Sequence, residues 1–416
     1  MDASSHVSAV AESQVSVLLG SDGAPFESLI MQLMSPRNED RGEAEQLFNL
    51  CRARQLDTFF LKLVYMVRSS SSPDVRSMAA ILARKQLGSW SQLNPQTQAA
   101  IKEQLLYSVQ QEEIQSVSKK LCDTIAEVAA NLSEDSPWGE LFPFLFQCVN
   151  SSLSRLQVSA LHIFGQLAQH MGSQLQPHLH ILHGLFQRTL SPSMPNDVRI
   201  AALCATANFV QSLEDVHDRD VFQDLLPAMM QTITQALEMN EEATAQDALE
   251  MLIEIAGVEP QFLRKQLVEV VGHMLQIAEA EGLEEGTQHL AIEFMVTLTE
   301  ARERAPGMMR KLPNIIGKLF SILMKKLTDI DDDPSWHSAE VEDEDAGESS
   351  NYEMAQESLD RLAISMGGST VLSTASEILP AFISDQDWKK RHAALIALAQ
   401  IAEGCSKVLL ILYCLV

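Results

Sequence analysis

The sequence predicts an all-α protein in which one pair of helices is repeated along the chain. Leu, Ala, Gln and Glu are plentiful among the 416 residues, and runs that alternate apolar with polar residues are hard to find. From Ala24 onward the same pattern recurs: an apolar helical run, a short turn, and a second helix that opens on a small residue. With 46% hydrophobic residues, such a stack can bury a continuous core.

The spacing of the second helices identifies the repeat. Aligned on a small or apolar residue, they are separated by 42, 39, 42, 46, 43, 67 and 36 residues. Helix pairs of the HEAT type repeat every 40–47 residues or so, roughly the range of all but two of these spacings. We therefore predict a HEAT-repeat solenoid, a right-handed superhelix of antiparallel helix pairs. The aligned positions are Ala79, Leu121, Ala160, Ala202, Ala248, Ala291, Ser358 and Ala394.

Two second helices open with an Asp-Val-Arg motif, at Asp74 and Asp197. An aspartate there suits the positive end of the helix dipole. We expect the arginine that follows, Arg76 or Arg199, to pair with the aspartate of a neighbouring repeat. Exposed pairs of this kind contribute under about 1 kcal/mol each, so apolar stacking must supply most of the stability.

The longest spacing contains an acidic segment, residues 329–348. Removing its 20 residues from the spacing of 67 leaves 47, so the segment is an insertion within one repeat. No Lys or Arg occurs between Lys326 and Arg361. Burying unpaired carboxylates is costly, so we expect a solvated loop that binds a basic partner. Its acids are Asp329, Asp331, Asp332, Asp333, Glu340, Glu342, Asp343, Glu344, Asp345 and Glu348.

The overall charge favours basic protein partners. The chain has 56 acidic and 30 basic residues, a formal net charge of −26. Nucleic-acid binding requires clustered Lys and Arg, so we expect no nucleic-acid partner. The longest apolar run, residues 408–416, makes about half a membrane span, and the N-terminus lacks the basic region of a signal peptide. We expect a soluble protein of the cytosol or nucleus.

The second helices carry carboxylates at fixed offsets. Positions two and six residues after the aligned residue lie one turn apart on one helix face. In a HEAT solenoid the second helices line the concave side, so these acids would form an inner wall that binds basic cargo. The alternative is that they are ordinary solvated helix faces. The candidate cargo-binding residues are Asp123, Glu127, Glu250, Glu254, Glu293 and Asp360.

Motifs for catalysis are missing. The sequence contains neither of the glycine-rich motifs that cradle phosphates, and the S-x-x-K at 116–119 lacks its companion motifs. His178, His180 and His183 have no Cys or carboxylate at ligand spacing, and the acidic loop lacks the spacing of a calcium-binding EF-hand. We expect no catalytic residue, no cofactor and no metal site.

Four stretches resemble the importin-beta (karyopherin-beta) family of nuclear transport receptors, and within it the importin-five or karyopherin beta-3 type. DIDDDPSWHSAEVEDEDAGESSNYEMAQESLDRLA is similar to the family's acidic loop and the helix that follows it. DWKKRHAALIALAQIAEGC resembles the next repeat, LMSPRNEDRGEAEQLF the first repeat, and VRSMAAILARKQL the second helix of the second. The resemblance covers about residues 24–407.

The resemblance implies a receptor regulated by Ran-GTP that shuttles between cytoplasm and nucleus. Such receptors bind basic nuclear localisation signals, cross nuclear pores through Phe-Gly nucleoporins, and release cargo when Ran-GTP binds. By the family pattern, Ran-GTP would contact the second helices within residues 74–211 and the acidic loop 329–348. Basic cargo would bind the inner wall.

The sequence departs from the family in two respects. Family members are far longer, and the final KVLLILYCLV does not resemble family sequence. We expect a flexible leader at 1–23, a solenoid at 24–407 and an atypical apolar tail at 408–416, in a truncated form with partial activity. The alternative function is a structural HEAT scaffold without a Ran switch, and comparing Ran-GTP with Ran-GDP binding separates the two.

Overall fold

The computed structural model describes residues 12–132, 138–175, 178–305, 308, 312, 314–332 and 348–415. Helices and turns account for these residues, and the only pairing of extended backbone among them is an isolated antiparallel bridge between Ile330 and Glu348. The all-α prediction is therefore confirmed. Contacts divide the chain into two compact units, Met1–His178 and Leu179–Val416, here called the N-terminal and C-terminal units.

The N-terminal unit consists of a short helix, α1, at residues 12–18, followed by four helix pairs. In each pair, a first helix is joined by a turn to a second helix. The pairs are α2 (Ala24–Leu33) with α3 (Asn38–Arg54), α4 (Leu56–Ser69) with α5 (Pro73–Lys85), α6 (Pro95–Gln111) with α7 (Gln115–Ala130), and α8 (Leu141–Val149) with α9 (Ser154–Leu175).

The C-terminal unit continues the pattern with five pairs and one extra short helix, α12 (Val216–Val221), between its first two pairs. The pairs are α10 (Leu179–Thr189) with α11 (Asn196–Ser212), α13 (Leu226–Glu238) with α14 (Glu242–Val258), α15 (Leu267–Glu279) with α16 (Glu285–Glu300), α17 (Ile315–Lys326) with α18 (Ser350–Met366), and α19 (Gly368–Ile383) with α20 (Trp388–Leu415).

The predicted repeat register is confirmed. All eight aligned positions lie in second helices, and each is at most 3% exposed. Seven of the eight are Ala or Ser, which lets consecutive second helices pack closely against one another: α5 on α7 and α7 on α9 in the first unit, and α14 on α16 and α16 on α18 in the second. The acidic segment lies between α17 and α18, inside one repeat, as its spacing predicts.

The arginine of the Asp-Val-Arg motif does not pair as the sequence suggested. Arg76 donates hydrogen bonds to both carboxylate oxygens of Glu112, at 2.8 and 3.0 Å, and to the carbonyl oxygen of Ser70. Asp74 remains exposed. The predicted partner was wrong because Arg76 lies against the turn between α4 and α5 of its own repeat. The first helix of the next repeat, α6, ends beside this turn, and Glu112 follows directly after it. The pair therefore links two repeats beside a turn.

The two ends of the chain differ from expectation where the structure describes them. Residues 12–18 are helical, and Val15, Leu18 and Leu19 are buried, so this part of the expected leader packs on the fold. Apolar residues on one face of α1 explain the difference. At the other end, α20 runs without a break to Leu415, so residues 408–415 continue an existing helix.

The described cysteine side chains are thiols. Cys51, Cys122 and Cys148 are buried, and Cys204 is half-buried. Burial raises the pKa of Cys51 and Cys148 to about 11 and that of Cys122 to about 12. These thiols are therefore protonated and poorly nucleophilic at neutral pH.

None of the helices in the described part of the chain is long and apolar enough to span a membrane.

Candidate interaction surfaces

The two ends of the acidic loop are fastened side by side. The backbones of Ile330 and Glu348 form the antiparallel bridge, and the side chain of Ile330 is buried. Ser349 donates from Oγ to the carbonyl oxygen of Asp329 at 2.6 Å. The same hydroxyl oxygen accepts the backbone N–H of Tyr352 at 3.2 Å and caps the start of α18. The loop therefore begins and ends at a fixed point on its repeat.

A polar cluster centred on Asn351 supports this point. Its Nδ2 donates to Asp329 Oδ2 at 2.8 Å and to Glu285 Oε1 at 3.1 Å. Its Oδ1 accepts from Lys326 Nζ at 2.9 Å and lies 2.8 Å from Nε2 of His289, which must carry the proton because the amide oxygen only accepts. We call these five residues the neck. They connect the loop to α16, α17 and α18.

The neck contains one partly buried cation. Burial lowers the pKa of Lys326, and the charges of Glu285 and Asp329 partly oppose that effect. Lys326 also donates to Gln288 Oε1. Asp329 was expected to be part of a free acidic surface, but its carboxylate is bound inside the neck. It thus contributes less to an external surface than the exposed Asp331 and Asp332.

The remaining nine acids of the loop fall into three groups. Asp331 and Asp332 are exposed and form no ion pair with a described residue. Glu348 is half-buried next to Tyr352; burial raises the pKa of Tyr352 to about 12, and the charge of Glu348 adds to the effect. Six further predicted acids lie outside the described residues: Asp333, Glu340, Glu342, Asp343, Glu344 and Asp345.

In the N-terminal unit, Asp123 is held between neighbouring second helices. Its carboxylate lies 2.8 Å from His162 Nε2 and 3.3 Å from Arg84 Nη1. Burial acts to raise the pKa of Asp123, but the hydrogen bond and charge of His162 and the charge of Arg84 outweigh it and lower the pKa. The carboxylate of Glu127, one turn further on α7, accepts from Asn131 at 3.2 Å and from no other described residue. Glu127 is therefore the more available acid.

In the C-terminal unit, α14 presents a stripe of exposed carboxylates. Glu250 and Glu254 lie one turn apart, and Glu254 accepts from Gln211 Nε2 at 3.2 Å. Asp247, which was not among the predicted cargo-binding residues, is also exposed and lies three residues before Glu250 on the same face. Its offset of −1 from the aligned position is the signal that would have found it. No ion pair with a described residue neutralises the stripe.

Glu293 on α16 is neutralised by Arg361 on α18. The guanidinium donates to both oxygens of Glu293, at 2.7 and 2.8 Å, and to both oxygens of Glu300, at 2.8 and 3.0 Å. The hydrogen bonds to Glu300 have the largest effect on the pKa of Arg361, followed by those to Glu293, and both raise it. Asp360, the preceding residue, is half-buried and makes no ion pair with a described residue. Arg361 thus joins two second helices and removes one predicted free acid.

Three family models match the chain over most of its length. The importin-beta N-terminal domain matches residues 44–111, a model described as IPO5-like, TPR repeats matches 113–273, and the importin repeat matches 280–373. The observed second-helix spacings of about 40 residues are those of HEAT rather than TPR pairs.

Similar proteins are importins. A probable importin-5 homolog of Dictyostelium discoideum is 24% identical over 92% of this chain and 36% of its own length, and importin subunit beta-3 of Saccharomyces cerevisiae gives the same three values. A crystal structure of Kap121p bound to RanGTP has a TM-score of 0.79, with 24% identity over 92% of this chain and 36% of Kap121p. The chain spans about a third of the length of these relatives. With its N-terminal domain, its importin repeats and its helix-pair fold, the chain belongs to the importin-beta family.

Proposed function

We propose that this chain supplies cargo binding and Ran-GTP regulation in nuclear transport. The observation that carries the proposal is the acidic loop, whose ends are fixed by the neck to α16, α17 and α18 in a unit that also exposes the carboxylates of α14. A basic surface on Ran would bind the loop. Basic nuclear localisation signals would bind the second helices.

The similar structures support the partners in this proposal. Kap121p has been crystallised with RanGTP, with Pho4p and with Nup53p. By analogy, we propose Ran-GTP, cargo proteins with basic localisation signals and Phe-Gly nucleoporins as partners, and shuttling between cytoplasm and nucleus. The chain spans about a third of the length of these relatives, and the proposal concerns these binding steps.

The cargo surface that we propose is uneven. Glu250 and Glu254, together with Asp247, are three exposed carboxylates on one helix that make no ion pair with a described residue, whereas Glu127 and Asp360 are half-buried single acids on other second helices. Asp123 and Glu293 already have cationic partners, so they contribute less attraction for a basic peptide. We therefore assign most of the affinity to α14.

The neck provides a physical route for regulation. It bonds the loop to Glu285 and His289 on α16, and α16 packs on α14, which carries the cargo stripe. A ligand that binds the loop and displaces it can therefore alter the position of the helices next to the exposed carboxylates of α14. If Ran-GTP lowers cargo affinity in this way, cargo must lower Ran-GTP affinity by the same factor.

The proposal predicts that charge reversal on α14 weakens cargo binding. We expect Glu250→Lys with Glu254→Lys to reduce the affinity for a basic signal peptide by about tenfold at moderate salt, because a basic ligand must respond to the sign of the charge it meets. Fluorescence anisotropy with a labelled basic peptide, with and without Ran-GTP or Ran-GDP, measures the effect.

The matched control reverses two acids that are also exposed but lie on first helices. Glu238→Lys with Glu269→Lys makes the same change in net charge on α13 and α15. If both double variants weakened the peptide equally, the effect would come from overall charge, and the second-helix site would be rejected. If neither Ran-GTP nor Ran-GDP changed the affinity for the peptide, a scaffold without a Ran switch would be favoured.

A further inference from the structure

An exposed arginine on the N-terminal unit lies between two tyrosine rings. Arg68 is in the last turn of α4, and its guanidinium carbon is 5.9 Å from the ring centroid of Tyr65 and 5.9 Å from that of Tyr107 on α6. It forms no ion pair with a described residue, although the chain has 56 acidic residues. This cation is held by aromatic contacts instead.

The arrangement leaves the guanidinium ready to bind an anion. Aromatic rings attract the cation and restrict its position without using its N–H donors. The planar fork of those donors matches a carboxylate and can bind it through two parallel hydrogen bonds. Tyr107 is itself 48% exposed, so a ligand can contact both its ring and the arginine.

A shallow cleft of about 270 Å³ adjoins Arg68. Val67 and the 39% exposed Ile114 make part of its lining apolar. The Arg76–Glu112 ion pair also lines it, and its charges already satisfy each other. Glu113, also in the lining, disfavours an anion near Ile114. An apolar ligand side chain can therefore contact Ile114 while a neighbouring carboxylate binds Arg68.

We propose that Tyr65, Arg68 and Tyr107 form a binding site for an acidic peptide segment that carries an aromatic or aliphatic residue next to its carboxylate. This ligand is opposite in charge to the basic cargo proposed for α14, so the site is a separate one and does not depend on the proposed transport function. Because the whole chain has a net charge of −26, distant charges repel such a peptide. Its affinity must come from the local contacts.

Fluorescence anisotropy in about 0.15 M salt, where distant repulsion is largely screened, tests the site. The probe is a short labelled peptide of Glu and Phe with Ser spacers, and the comparison peptide has Gln in place of each Glu. We expect the acidic peptide to bind more tightly, and Arg68→Gln to weaken it about tenfold. Arg68→Lys should restore part of the loss, since it keeps the charge but not the planar fork.

The matched control is Arg54→Gln. Arg54 is also exposed in the last turn of a helix, α3, but no tyrosine ring contacts it in the described part of the structure. The control should bind like the parent, and Tyr107→Ala should bind several-fold more weakly. Equal losses for Arg68→Gln and Arg54→Gln, or no preference for the acidic peptide, would overturn the proposal. So would self-association in sedimentation that Arg68→Gln abolishes, because the occupant would then be a second copy.

Discussion

Replacing Glu112 by Gln is expected to lower the free energy of unfolding of the N-terminal unit by about 3 kcal/mol. The side chains of Arg76 and Glu112 are only 13% and 6% exposed, and they share two hydrogen bonds. Glu112 also accepts the backbone N–H of Ile114 at 3.0 Å. Glutamine keeps the shape but leaves the buried guanidinium without a counter-charge. Urea unfolding measures the loss, and hydrogen exchange should localise it to α5–α7.

The C-terminal unit offers the reverse experiment. Arg199 occupies the corresponding position on α11 and is fully buried, but its partners are the neutral Leu190 carbonyl and Gln235 side chain. Its Nη2 has no hydrogen-bond partner among the described residues. We expect Gln235→Glu to raise the free energy of unfolding by about 1 kcal/mol, because a charge-assisted hydrogen bond would replace a neutral one. Should Glu112→Gln be harmless, or Gln235→Glu destabilising, this account of the arginines is wrong.

The helix pairs could be predicted from the sequence, whereas the partners of the arginines could not. Apolar and small residues recur at a fixed spacing because every second helix meets the same environment, so Ala79 and Ala202 identify equivalent positions. The partner of Arg76 depends instead on where α6 ends, 36 residues later. A local motif contains no information about that end.

The same distinction applies to the acidic loop. Its position as an insertion followed from counting residues. The sequence also showed that Lys326 and Arg361 are the cations on either side of it, but not what they do. Lys326 binds Asn351, 25 residues away, and Arg361 binds Glu293, 68 residues away. Both roles arise only when α16, α17 and α18 come together, which is why the neck was not predicted.

We expect neutralising the acidic loop to reduce the proposed effect of Ran-GTP on cargo affinity by about tenfold. Couplings between sites are typically 1–3 kcal/mol and a tenfold loss is about 1.4 kcal/mol, so such a loss would remove between about half and all of the coupling. Exposed carboxylates such as Asp331 and Asp332 interact with a basic surface through charge, so the salt dependence of Ran binding should also become shallower. The variant replaces Asp331, Asp332, Asp333, Asp343, Glu344 and Asp345 by Asn or Ser.

Two further variants separate the loop's charge from overall charge and from the neck. The first changes six exposed acids outside the loop to Gln: Glu43, Glu45, Glu103, Glu214, Glu238 and Glu269. It should preserve the Ran effect. The second, Asn351→Ala, keeps every charge of the loop but removes the amide that bonds it to Lys326, Asp329 and Glu285.

Binding of Ran-GTP and of a basic peptide, each measured with and without the other across a salt series, distinguishes these cases. We expect the neutralised loop to lose Ran affinity and coupling together. Asn351→Ala should retain Ran affinity in the absence of peptide. It should lose the coupling between Ran and peptide binding, because the hydrogen bonds that connect the loop to α16 would be gone. In every variant, the factor by which Ran changes peptide affinity must equal the factor by which peptide changes Ran affinity. Full coupling after loop neutralisation would reduce the loop to a solvated spacer.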